Sequence, residues 1–126
     1  MNGLTNRRKG HNFERELARL YREAGFKNAL TSRQASKLYD DCKLDFWGIP
    51  DNTQAKNVKA SLNPLTIIRQ MKALIMEKLE PVEKRLHKPF VVIHKQNKEI
   101  KVFIEMTLED YFKWKKLEAN EINSTN

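Results

Sequence analysis

Three residues in one short stretch have types and spacing that could do chemistry. LDFWGIPDNTQAKNVK, residues 44–59, places Asp45 among apolar neighbours (Leu44, Phe46, Trp47, Ile49) and sets Gln54 and Lys56 two positions apart. Residues two apart on a strand face the same side. A carboxylate in an apolar run is costly to bury without a partner. Carboxylate and amide oxygens are the donors a hard cation prefers, and an ammonium beside them can neutralise an anion. The plainer alternative is that Asp45 flanks a turn and Lys56 is a surface lysine.

The elements that would position these groups can be read along the chain. Residues 10–24, GHNFERELARLYREA, carry apolar side chains at Phe13, Leu17, Leu20, Tyr21 and Ala24, which is helical spacing with Gly25 as a stop. Residues 26–33 suit a short strand, and SKLYDDCK reads as a polar connection. A hairpin with strands 44–49 and 53–58 around Pro50-Asp51-Asn52 follows. Pro64 opens a second helix to about Leu79, striped by Leu65, Ile68, Met71, Ile75 and Leu79. PFVVIHKQNKEIKVFIEM reads as a second hairpin turning at QNK. Thr107 and Asp110 stand at capping-box spacing before a third helix. The sum is a single α/β domain over residues 1–126, a mixed sheet flanked by helices, with about six residues frayed at each end.

The first hairpin sets its own geometrical test. A symmetric turn centred on Asp51 pairs Asp45 with Asn57, on the face away from Gln54 and Lys56. Bringing Asp45 near Lys56 requires a one-residue shift or a bulge.

Composition narrows the partners. The chain carries 24 Lys and Arg against 16 Asp and Glu, a net charge of +8, which favours a polyanion such as nucleic acid. Its apolar runs are far short of the ~20 residues of a spanning helix, so no membrane partner is expected. No signal-like segment opens the sequence, and Cys42 is the only cysteine. A reduced, cytoplasmic setting is the expectation.

The order αβββαβ, an aspartate on the second strand and x-Lys on the third resemble the PD-(D/E)XK nuclease fold. The triplet here is Gln54-Ala55-Lys56 in place of the usual acidic residue, a variant that occurs in the superfamily. More narrowly, RRKGHNFERELARLYREAGF, TSRQASK and the D…QAK hairpin resemble Holliday junction resolvases of archaeal type and their phage relatives, over roughly residues 7–60. The resemblance implies a restriction-endonuclease-like core followed by an extra strand and a C-terminal helix. It implies Mg²⁺, with Mn²⁺ substituting, held by Asp45, Gln54, Glu14 and the Ala55 carbonyl, with Lys56 assisting the attacking water. It implies a homodimer cutting four-way DNA junctions in a prokaryotic cell or in a phage's host cytoplasm.

Arg7, Arg8, Lys9, Ser32, Arg33, Ser36, Lys37 and Lys59 are the expected phosphate contacts. Read without the resemblance, Glu14 belongs to a charged helix face where Glu16–Arg19 and Arg19–Glu23 can pair. Asp40 and Asp41 suit a polar loop, with an auxiliary metal role as the alternative. A restriction or repair nuclease, or a non-catalytic DNA-binding protein on the same fold, would share most of these features.

Overall fold

In the computed structural model, which describes residues 3–124, the elements run α1 (Gly3–Glu23), β1 (Leu30–Thr31), α2 (Ser32–Ala35), α3 (Lys37–Asp41), β2 (Phe46–Trp47), β3 (Asn52–Asn57), α4 (Pro64–Lys78), β4 (Phe90–Gln96), β5 (Glu99–Glu105) and α5 (Leu108–Ser124). β3 and β4 are parallel, with Gln54 opposite Val92 and Lys56 opposite His94. β5 returns antiparallel to β4 through a tight turn in which Asn97 takes a left-handed backbone at φ 58°. Parallel neighbours need a crossover, and α4 supplies it. Asn63 caps it, its side chain accepting from the N–H groups of Leu65 and Thr66, and Pro64 opens its first turn.

Continuous apolar sequence marks β4 as a strand buried on both faces. Phe90 and Val92 pack with Ile68, Met71, Ile75 and Leu79, the α4 stripe. Val91 and Ile93, one residue out of phase, pack with Phe13, Leu17 and Ala18 of α1. The sheet is thus sandwiched by helices in a mixed α/β domain. Leu65, expected in the α4 stripe, is 53% exposed.

The expected connection at residues 36–43 contains α3 instead. Ser36 caps it by accepting from the N–H of Tyr39, and Tyr39 and Cys42 bury against α4 residues. Two apolar anchors inside a polar stretch are enough to hold a single turn. α1 begins at Gly3 rather than at Gly10.

The expected first hairpin does not form as a ladder. β2 shrinks to Phe46–Trp47 and pairs with β1, giving a separate two-stranded sheet. Gly48 ends it at φ 87°, and a Cβ there would lie 2.7 Å from the carbonyl oxygen of Asn28. Only glycine fits such a bend at that approach. Arg85 then clamps the turn. Its guanidinium donates to the carbonyls of Pro50 (3.2 Å) and Asp51 (2.9 Å) and to Asn52 Oδ1 (2.7 Å), while Asn52 Nδ2 donates back to its carbonyl.

β5 and α5 are the exception to this burial. No residue of α5 is buried, and β5 is exposed along nearly its whole length. Among the described residues, no helix is long and apolar enough to cross a membrane.

Ile75 is fully buried between α4 and β4. Ile75→Ala is expected to cost about 2–5 kcal/mol, read as a lower denaturant midpoint at unchanged m-value. Val102→Ala, at an exposed site on β5, should cost far less.

Candidate active site

Asp45 is where the two sheets touch. Its N–H donates to the Thr53 carbonyl at 2.8 Å, and its own carbonyl accepts from the Ser32 N–H at 2.8 Å. Its carboxylate Oδ2 accepts from the Ala55 N–H at 2.7 Å. Asp45 therefore lies alongside Thr53–Ala55 rather than opposite Asn57, and the bend at Gly48 resolves the register conflict. In a strand the N–H and C=O of one residue point the same way, so the Ala55 carbonyl shares the Asp45 edge of β3.

A cavity of about 320 Å³ opens at this edge, lined by Glu14, Asp45, Gln54, Ala55 and Lys56 together with Arg7, His11, Arg33 and Asp40. All four side chains expected in the site therefore converge, from α1, the β2 flank and β3. Glu14 is 8% exposed, not solvated. Its two oxygens accept from Arg33 Nη2 at 2.8 and 2.5 Å. Gln54 is buried, and its amide nitrogen donates to the Lys43 carbonyl at 2.9 Å, which leaves the amide oxygen for a ligand.

The carboxylates are crowded. Burial pushes Asp45 up to about 7, reinforced by the Glu14 charge and, more weakly, by Asp40, against the Ala55 N–H and the Lys56 ammonium. Burial also raises Glu14, against the pull of Arg33 and Lys56. Burial and the charges of Arg33, Arg15 and Arg7 lower His11.

His11 is a cavity residue that sequence reasoning passed over, and Asp40, read as a loop residue with an auxiliary metal role as the alternative, lines the cavity too. His11 stands four residues after Arg7 and three before Glu14, helical spacing that already placed the three on one face. Asp40 reaches the cavity only because α3 forms.

The expected phosphate contacts divide. Arg7 and Arg33 line the cavity, whereas Arg8, Lys9, Lys37 and Lys59 are exposed outside it, Lys37 paired with Asp41 at 3.1 Å. Ser32 is a correction. It is wholly buried and its hydroxyl donates to the Leu44 carbonyl, so it cannot reach a phosphate. The Ser36 hydroxyl serves as the α3 cap.

Among the described residues, no three His, Cys, Asp or Glu side chains form a group able to hold a metal ion. Mg²⁺ does not require three, since it binds through one or two carboxylates and retains several waters. Asp45, the Gln54 amide oxygen and the Ala55 carbonyl fit that donor set. So does the buried, unpartnered Oδ1 of Asn57 on the same cavity, because a buried acceptor without a partner is costly. No family model, curated protein or solved structure matches the chain.

Asp45 keeps a proton in the folded state that the unfolded chain releases near the ordinary value of 3.8. The folded state therefore binds more protons between 3.8 and about 7, and its stability falls as pH rises through that window. Asp45→Asn removes this loss and can still accept from Ala55. We expect the variant to be more stable than the parent at about pH 8, by roughly 1–3 kcal/mol, the gap closing towards about pH 4. Denaturant unfolding across that range checks it; a gap independent of pH would contradict the account.

Proposed function

We propose that this chain is a divalent-metal-dependent endonuclease acting on DNA phosphodiester bonds, with four-way or otherwise branched DNA as its substrate. The observation that carries the reading is the convergence of Glu14, Asp45, Gln54 and Lys56 on one cavity beside Arg7 and Arg33. The parallel β3–β4 pair with its α4 crossover, and α1 across the sheet, agree with a restriction-endonuclease-like core. The net charge of +8 suits a polyanionic substrate.

Hydrolysis joins a water oxygen to phosphorus and breaks one ester P–O bond, so a proton leaves the water and one reaches the departing oxygen. Bound Mg²⁺ or Mn²⁺ would polarise the phosphoryl oxygens and acidify the water. Asp45, Gln54 and the Ala55 carbonyl would hold it. Lys56 has three N–H donors and no acceptor; it orients the water and offsets charge developing on phosphate. Arg7 holds the DNA backbone without reading bases.

A second reading has a specific observation behind it. Arg33 already neutralises Glu14, as a DNA-binding protein without catalysis would allow. Labelled four-way junction, linear duplex and single strands, each with and without Mg²⁺, separate the two. Cleavage should need the metal and favour the junction. Asp45→Asn and Lys56→Ala should each lower its rate by about 10²–10⁴ while junction binding persists. Binding to all three DNAs without metal-dependent cleavage would leave the second reading standing.

Symmetric junction cutting needs two sites, hence a twofold pair of chains, and the exposed apolar side chains of β5 and α5 are where we place the contact. Leu108 (74%), Phe112 (59%), Trp114 (47%), Leu117 (68%), Ile100 (50%) and Val102 (55%) are exposed there. Residues 99–124 hold four Lys and Arg against six Asp and Glu, so two molecules of net charge +8 can meet there without strong repulsion. Light scattering at micromolar concentration should give a dimer, and Trp114→Glu with Leu117→Glu a monomer. A monomeric parent would remove the pair.

A further inference from the structure

Arg33 lines two neighbouring cavities. On one side is the site cavity, which holds the carboxylates of Glu14, Asp40 and Asp45 beside Arg7, Lys43 and Lys56. On the other is a cavity of about 340 Å³ lined by His11, Arg15, Thr31, Arg33 and Gln34, without a carboxylate. The Arg33 guanidinium uses one nitrogen, Nη2, for both oxygens of Glu14. Among the described residues, its Nε and Nη1 make no hydrogen bond. Its side chain is 41% exposed while that of Glu14 is 11% exposed, so the arginine is the partner that can leave.

The backbone beneath it is held. Ser32, the preceding residue, is fixed by its N–H on the Asp45 carbonyl and its hydroxyl on the Leu44 carbonyl. Arg33 can therefore exchange partners by side-chain rotation alone.

We propose that Arg33 is a substrate-responsive latch, holding Glu14 until a DNA phosphate in the neighbouring cationic cavity draws the guanidinium away and frees the carboxylate for metal. This rests on the nuclease reading above and adds to it a coupling between the two ligands. Buried Glu14 stays ionised only beside a counter-charge, so once the guanidinium leaves it takes either the cation or a proton. Arginine matches phosphate as well as carboxylate, by planar paired donors. His11 and Arg15 already line the cavity that would receive the phosphate. Coupling is reciprocal: DNA must raise metal affinity by the factor by which metal raises DNA affinity.

The test is equilibrium Mn²⁺ binding, followed by the electron paramagnetic resonance of the free ion, on the full chain with and without a short DNA duplex. A Lys56→Ala background stops turnover while retaining every ligand oxygen. The duplex should raise Mn²⁺ affinity by roughly 5–150-fold. Arg33→Gln should bind Mn²⁺ more tightly than this background without DNA, and the duplex should then add little. Arg15→Gln removes a charge from the receiving cavity without touching Glu14, so it should weaken duplex binding yet keep the rise in Mn²⁺ affinity at saturating duplex. Arg33→Lys, a point charge that holds Glu14 less firmly, should fall between and serves if Arg33→Gln does not fold.

Equal Mn²⁺ affinity with and without duplex, or equal effects of Arg33→Gln and Arg15→Gln, overturns the latch while leaving the metal site standing. Failure of the site itself looks different. No saturable Mn²⁺ binding with duplex present, or binding unchanged by Asp45→Asn, overturns both.

Discussion

The geometry of the site depends on Asp45 being satisfied on three sides at once. Its N–H reaches Thr53, its carbonyl takes Ser32, and its carboxylate takes the Ala55 N–H. Ladder pairing of β2 with β3 would have occupied that Ala55 N–H with a backbone carbonyl. Because β2 turns away at Gly48, the carboxylate stands in for the missing strand partner. One side chain thus closes the edge of the three-stranded sheet and stays there as a potential ligand. The Arg85 clamp on Pro50, Asp51 and Asn52 serves the same end from below, since it fixes the turn and with it the stagger of Asp45 against β3.

That closure carries an electrostatic cost. Burial raises both Asp45 and Glu14, the Glu14 charge raises Asp45 further, and Asp40 adds to both. A domain selected for stability alone would place an apolar residue or a neutral amide at position 45. Two crowded carboxylates at a cavity edge are the kind of perturbed pair on which the proposed metal site rests. Glu14 relieves part of its burden through Arg33, whereas among the described residues Asp45 makes no ion pair and Lys56 acts on it through its charge.

What the sequence made legible was local. The α4 stripe, its Asn63-Pro64 start, the QNK turn and the Thr107 start of α5 all follow from contacts within a few residues, and the structure has them. The fate of residues 44–49 was not legible, because the carbonyl that excludes a Cβ at Gly48 belongs to Asn28, a tertiary neighbour. α3 hid behind its polarity, since Tyr39 and Cys42 reveal their role only when α4 packs on them. Within the site, the grouping of Gln54 with Lys56 followed from strand alternation, and His11 with Glu14 was open to the same kind of argument on a helix. Asp40 and the buried hydroxyl of Ser32 were not, because each depends on where a short helix lands.

The chain also separates its charges in a way that bears on how it can work. Its basic excess belongs to the first 98 residues, with 20 Lys and Arg against ten Asp and Glu, and the remaining described stretch is slightly acidic and strongly apolar. The arginines at the two cavities, Arg7, Arg15 and Arg33, come from α1 and α2, while β5 lies beyond β4 from the site-bearing strand β3. Under the proposed function, a polyanion and an apolar partner would therefore meet different parts of the molecule. α5 cannot rest on propensity alone, since isolated helices of its length are marginal in water, and the domain buries none of its residues. Covering its aromatic side chains would stabilise the helix, and the cavity lined by Asp45 and Lys56 has no residue of α5 in its wall.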